Sequence, residues 1–160
     1  MNALLALVLF SATFASGATV PQAMIALPCG GSNLSPQLRW SGVPSGTRSL
    51  ALVLHDPDAP HPGGFYHWVV YDLPPRSGEL AAAAPIPASR SGRNDSGSIG
   101  YFGPCPPPGK LHHYHLTLYA LDVAVRSMQP LDAEELQQRM RGHILAQTEL
   151  VAVLQRTRRD

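Results

Sequence analysis

Strict alternation of apolar and polar positions is clearest between His112 and Leu121. Tyr114, Leu116, Leu118 and Ala120 share one face there, and His113, His115, Thr117 and Tyr119 share the other, which predicts a half-buried β-strand. Two other blocks are apolar without alternation. Ser49–His55 lies between Gly46 and Pro57, and Tyr66–Leu73 is stopped by Pro74-Pro75. Continuous apolar runs of this length predict central strands buried on both faces. Glu149–Leu154 predicts a last strand.

One helix is signalled between these blocks. Asp132 is a suitable N-cap, Glu135 falls at the third helical position, and Leu131 is placed to staple onto Leu136. Leu136, Met140 and Ile144 recur at a spacing of four and predict one apolar stripe, with Gly142 a weak point inside it. At the other end, Met1–Phe10 is almost wholly apolar and small residues follow it to Ala18. That order is signal-like over residues 1–18, with Ser16-Gly17-Ala18 as a candidate cleavage site. No Lys or Arg precedes the apolar run, and it is shorter than the ~20 residues of a transmembrane helix. A buried first β-strand is the preferred reading, with no transmembrane segment expected.

Composition narrows the class. The chain has 160 residues, enough for one domain with its own core, and residues 1–160 are read as a single domain without internal repeats. Charged residues are only 14% against 44% hydrophobic, which excludes disorder, and a net charge of +1 gives no reason to expect nucleic acid as a partner. Sixteen prolines exclude a helical bundle. They concentrate in loop-forming segments, chiefly 74–110, and a long loop region in a compact domain is usually functional. The expected class is therefore mainly β.

The candidate chemistry lies near the strand ends. His55, His61 and His67 bracket His55-Asp-Pro-Asp-Ala-Pro-His61, and His112, His113 and His115 open the alternating strand. A metal centre is disfavoured by the spacing, although His113 and His115 form an i, i+2 pair. No G-x-S-x-G is present and neither cysteine sits in a thiol-protease signature, so a nucleophilic enzyme has no motif to support it. A small polar pocket remains. Asp56 and His67 are assigned to it, with backbone N–H groups near Gly100 and Gly103 as further donors, while Asp58 is expected to cap a turn. Cys29 and Cys105 fit either one disulfide or two free thiols, and neither belongs to a C-x-x-C pair.

Four blocks in order resemble the phosphatidylethanolamine-binding proteins, also called the Raf kinase inhibitor-like family, in their short bacterial and archaeal form. They are Ser35-Pro-Gln-Leu-Arg-Trp-Ser-Gly-Val-Pro44, Asp56-Pro-Asp-Ala-Pro60, His67-Trp-Val-Val-Tyr71, and Gly100-Tyr-Phe-Gly-Pro-Cys-Pro-Pro-Pro-Gly109 with His112-His-Tyr114. Asn94-Asp95 and Gly142-His143 fit as well, and the resemblance spans roughly residues 9–155. It implies a β-sandwich with a large central antiparallel sheet, a smaller second sheet and short peripheral helices. It also implies a non-enzymatic protein without cofactor or metal, whose pocket takes a small anion or phospholipid head group. Carried over by motif, the ligand-binding residues are Asp56, Pro60, His67, Pro107, His112, Tyr114 and Trp40. Alternatives from other classes are a regulator that inhibits a kinase or protease through the pocket-rim loops, and a hydrolase using the same pocket. A homodimer is compatible with the resemblance.

Two departures lie at the pocket edge. His113 stands where the family usually has arginine, and Gly109-Lys110-Leu111-His112 is shorter than the usual proline-glycine loop. The resemblance places both cysteines in loops flanking the pocket, close enough to bridge. The compartment stays open, with cytoplasm preferred to periplasm or secretion. Protonated His67 or His112 would supply positive character, so phosphate-type binding is expected to weaken as pH rises through histidine's ordinary range near ~6.5.

Overall fold

A computed structural model describes residues 5–158. The three apolar blocks become adjacent strands of a four-stranded antiparallel sheet ordered β4-β3-β6-β7, with β3 at Ser49–Asp56, β4 at Phe65–Leu73, β6 at His112–Leu121 and β7 at Ile144–Leu154. The Tyr66–Leu73 block, expected to be central, ends the strand order, and its apolar run reflects burial on both faces. A second antiparallel sheet is ordered β1-β2-β5 and is built from short strands: β1 is Val8–Phe10, β2 Leu38–Ser41 and β5 Gly78–Leu80. Three short 3-10 turns, Gln22–Met24, Leu27–Cys29 and Ala88–Arg90, and one α-helix, α1 at Ala133–Met140, complete the described elements.

Two apolar layers explain why β3 lacks alternation. Leu50, Leu52 and Leu54 join Leu116 and Leu118 of β6 and pack with Leu9, Leu38 and Trp40 of the small sheet. On the opposite face, Ala51 and Val53 pack with Val69 and Tyr71 of β4 and with Ala133, Leu136 and Met140 of α1. Both faces of β3 are therefore buried, and each fully buried aliphatic side chain contributes about 1.5–3 kcal/mol before entropy.

The helix start follows its sequence signal: Oδ1 of Asp132 accepts the Glu135 N–H at 2.8 Å, and Leu131 and Leu136 share one buried cluster. Its end does not. Gly142 has φ +81°, a left-handed conformation that terminates the helix instead of weakening its interior. Ile144 then opens β7, five residues earlier than the expected strand start, and is exposed instead of continuing the Leu136–Met140 stripe. At the amino-terminal side, Val8–Phe10 pairs with β2, and Gly17 N–H and Val20 N–H donate to the Val151 and Val153 carbonyls on the β7 edge. The signal-like segment is thus woven into both sheets from residue 8 onward; residues 1–4 lie outside the described part.

Two features of β3 and β4 prepare a site. From Leu54 to His55, β3 advances one residue while its partners on β4 step from Trp68 to Tyr66, leaving His67 as the extra residue of a bulge. The excluded residue pairs on its other side, where its carbonyl accepts the Phe102 N–H at 3.0 Å. Beyond Asp56 the chain turns through prolines, and Gly64 permits a close approach that a side chain would block, because a Cβ there would collide with the Asp56 carbonyl.

Candidate functional site

The ends of β3, β4 and β6 meet at a cavity of about 180 Å³. Asp56, His67, His112 and Tyr114 line it from the strands. Ala59, Pro60, His61 and Phe65 line it from the 56–65 turn, and Phe102, Cys105, Pro106 and Pro107 from the proline loop. Six of the seven residues singled out by sequence are thereby brought together. Trp40 is not among them: it sits on β2 in the small sheet, its indole packed beneath Gly78 and its Nε1–H donating to the Arg76 carbonyl at 3.1 Å. Its cleft is a different one.

Asp56 is held from two directions. Its Oδ1 accepts the Asp58 N–H at 2.8 Å, closing the turn, and its Oδ2 accepts Nδ1–H of His112 at 2.6 Å. The pair is almost completely buried, so the carboxylate fixes the imidazole and leaves its opposite edge for the cavity. Asp56 is therefore the turn-capping residue, the part expected of Asp58. Asp58 instead reaches across to β6, where its Oδ2 accepts from both N–H and Nδ1 of His113 at 2.8 Å, and Lys110 lies 3.7 Å from its Oδ1. The His113 hydrogen bond holds the Asp58 carboxyl below the ordinary carboxylate range. Histidine in place of arginine thus serves to pin the turn to the strand.

His67 is oriented just as firmly. Its Nδ1–H donates to the Phe102 carbonyl at 2.7 Å, which leaves Nε2 as the ring nitrogen without a partner among the described residues. Phe65 packs on the ring at 4.5 Å, Phe102 stacks at 6.2 Å, and Tyr114 meets it edge-on at 5.4 Å. Burial among these rings depresses its pKa to about 4; the Phe102 carbonyl and the Asp56 charge oppose that shift only in part. His67 is accordingly neutral at neutral pH, and the unliganded cavity does not carry the positive charge on it that the sequence suggested.

Tyr114 lies between the histidines, and its hydroxyl is buried with no hydrogen-bond partner among the described residues. Burial raises its pKa, and so do the charge of Asp56 and the approach of the hydroxyl to that carboxylate, so it stays a neutral donor that faces Asp56 without closing a hydrogen bond to it. By contrast, Gly100 N–H donates to the Gly92 carbonyl and Gly103 N–H to Oδ1 of Asn33, so neither is free for a ligand as the sequence had suggested.

His55 and His115 are used elsewhere. Nε2 of His55 bonds the Gly63 carbonyl at 2.7 Å while the ring stacks on Tyr66 at 4.1 Å, and His115 pairs with Glu149 on the outer sheet face. Among the described residues no three His, Cys, Asp or Glu side chains converge as metal ligands would. Cys29 and Cys105 form a disulfide with Cα atoms 5.6 Å apart, which ties the cavity wall to the 3-10 turn at Leu27–Cys29. Phe65 and Phe102 were not singled out by sequence; their signal was a bulky aromatic beside loop glycines, Gly63-Gly64 and Gly103.

A two-sheet β fold with one small, aromatic-walled cavity at its strand ends, holding a few oriented polar groups, defines a binding-protein architecture. The family model for phosphatidylethanolamine-binding protein matches residues 10–155, and the chain belongs to that family. It is 42% identical over 133 residues to a UPF0098 protein of Methanothermobacter thermautotrophicus, covering 80% of this chain and 87% of that one. The crystal structure of CT736 from Chlamydia trachomatis, named a homologue of the family, superposes with a TM-score of 0.85 at 38% identity, covering 95% of this chain and 99% of that one. That of YbcL from Escherichia coli, named a member of the mammalian family, gives 0.85 at 31% identity, covering 93% and 98%. Proteins of this family are in general non-enzymatic binding proteins.

Proposed function

We propose that the protein binds a small phosphate-type anion, such as a phospholipid head group, in the Asp56–His67–His112–Tyr114 cavity, without chemistry on it. The observation that carries this reading is the Tyr114 hydroxyl, a buried donor on the cavity wall with no partner among the described residues. Leaving such a group unsatisfied costs about 1–3 kcal/mol, and that penalty is relieved when a ligand oxygen accepts its proton. The imidazoles extend the same logic. His67 and His112 each direct Nδ1–H into the protein, at the Phe102 carbonyl and at Asp56, which leaves the Nε2 edges for the ligand. A hydrogen phosphate or monoester brings its own acidic proton and shares it with one of these nitrogens, and its negative charge offsets the burial that keeps His67 neutral. Phe65, Phe102 and the prolines supply apolar contact around the ligand's organic part.

The test is calorimetric titration with inorganic phosphate. His67→Ala is expected to weaken binding at least tenfold, the effect of losing one charge-assisted hydrogen bond of about 1.5–3 kcal/mol. Unchanged affinity in a folded variant would overturn the assignment.

A further inference from the structure

Trp40 belongs to a motif that the cavity above does not use, and its surroundings form a second cleft of about 220 Å³ on the side of the small sheet. Pro74, Ile86 and Pro87 make its accessible apolar lining over the buried Trp40 and Leu73, and Arg76 and Arg90 stand at it from the two flanking segments. Arg76 is exposed and Arg90 half-buried, and among the described residues neither guanidinium has a carboxylate or carbonyl partner, so both are available to a ligand. The one acidic residue in the lining, Glu79, accepts a hydrogen bond from Gln37 at 3.2 Å.

The cleft is held in shape before any ligand arrives. Prolines fix its two walls, and the Trp40 Nε1–H bond to the Arg76 carbonyl fixes the main chain beneath one of the cations. Gly78 packs directly on the indole: its φ is not positive, so the backbone does not require glycine, but a Cβ there would lie 3.0 Å from indole Cζ2 and push the strand off the ring. An apolar floor flanked by two guanidiniums without partners complements a ligand that is apolar at one end and anionic at the other. Guanidinium is the side chain best suited to a carboxylate, because its planar fork gives two parallel donors.

We infer that the Trp40 cleft is a second binding site, distinct from the histidine-lined cavity, for a small amphiphilic anion: an organic carboxylate with a short aliphatic or aromatic body. The apolar body lies against Ile86 and the proline walls above the buried indole, and the carboxylate meets Arg76 and Arg90. Because the Trp40 contact is to the Arg76 main chain, side-chain replacement at Arg76 leaves that bond in place.

The experiment is titration of the whole protein with octanoate, followed by backbone amide NMR and tryptophan fluorescence, with 1-octanol as the uncharged control. Saturable shifts are expected at Gly78 and Arg90 and not at His112 or Tyr114. The double variant R76Q/R90Q is expected to bind octanoate at least tenfold more weakly, as loss of a charge-assisted contact implies, while its weak response to octanol is unchanged. Inorganic phosphate at the first cavity serves as the folding control and is expected to behave alike in both proteins, or to be absent in both if the first assignment fails. Equal octanoate affinity in R76Q/R90Q, shifts confined to the histidine-lined cavity, or no saturable response would overturn the second site.

Discussion

Oδ2 of Asp56 lies 2.6 Å from Nδ1 of His112, and this buried pair joins the end of β3 to the start of β6 at the cavity floor. Removing Asp56 leaves the buried Nδ1–H of His112 without its acceptor, and an orphaned buried donor costs about 1–3 kcal/mol. Asp56→Ala is therefore expected to lose stability of that order in urea denaturation, since it also opens the turn closed through the Asp58 N–H. Asp56→Asn, which keeps an acceptor for that turn, is expected to lose distinctly less. Equal, small losses in both would mean that the pair does not organise the strand ends.

Tyr114 gives a prediction of opposite sign for stability and binding. Its hydroxyl is buried and unpartnered, so Tyr114→Phe removes a group that the folded protein does not satisfy. The variant is expected to match or exceed the parent in thermal stability and to bind phosphate about tenfold more weakly, the worth of one hydrogen bond to a charged group. Paired melting and calorimetry check this. A variant that is less stable and binds as well would show the hydroxyl to be structural.

His67 links stability to pH. Its folded pKa of about 4 lies below the ordinary 6.5, so between those values the unfolded chain takes up the proton and the folded one does not. Its contribution is in full force above pH 6.5 and is lost as pH falls toward 4, by at most about 3 kcal/mol. His67→Gln is expected to flatten that part of the stability–pH profile relative to the parent in denaturant titrations at pH 7 and pH 4. Parallel profiles would contradict the burial argument.

The Cys29–Cys105 disulfide closes a loop with a sequence separation of 76, for which chain entropy gives a stabilisation of about 4 kcal/mol. Reduction is expected to lower the melting temperature and also to weaken phosphate binding, because Cys105 and the next two prolines form one wall of the cavity. Melting and titration with and without reductant check both. A loss of stability with undiminished affinity would show that the wall is held by its other bonds, such as Arg156 Nη1–H to the Pro106 carbonyl.

The long strands were legible because burial on both faces leaves continuous apolar runs, as in Leu50–Leu54, and burial on one face leaves alternation, as in His112–Leu121. The strands of the small sheet were harder. Val8–Phe10 and Gly78–Leu80 are three residues long, too short for a period to show, and depend on pairing with β2. Ile144 misled because helical spacing carries no information about a left-handed glycine two residues earlier. Most of the cavity followed from motif, yet the sequence could not distribute roles between Asp56 and Asp58, since either could cap the same Asp-Pro turn. The bulge at His67 and the burial that depresses its pKa depend on register and on Phe65 and Phe102, which only the folded chain brings together. Trp40 was read as part of the pocket because its motif accompanies the pocket motifs, but β2 carries it to the other cleft.

The central claim is that a phosphate-type anion enters the cavity and shares its proton with a buried imidazole. Histidine NMR across a pH series, with and without saturating phosphoethanolamine, tests it directly. In the free protein His67 is expected to titrate near 4, and in the presence of phosphoethanolamine its midpoint is expected to rise toward or above the ordinary 6.5, with affinity falling as pH rises. A His67 midpoint that does not move at any phosphoethanolamine concentration, with no saturable shift at Tyr114 or His112, would contradict the account.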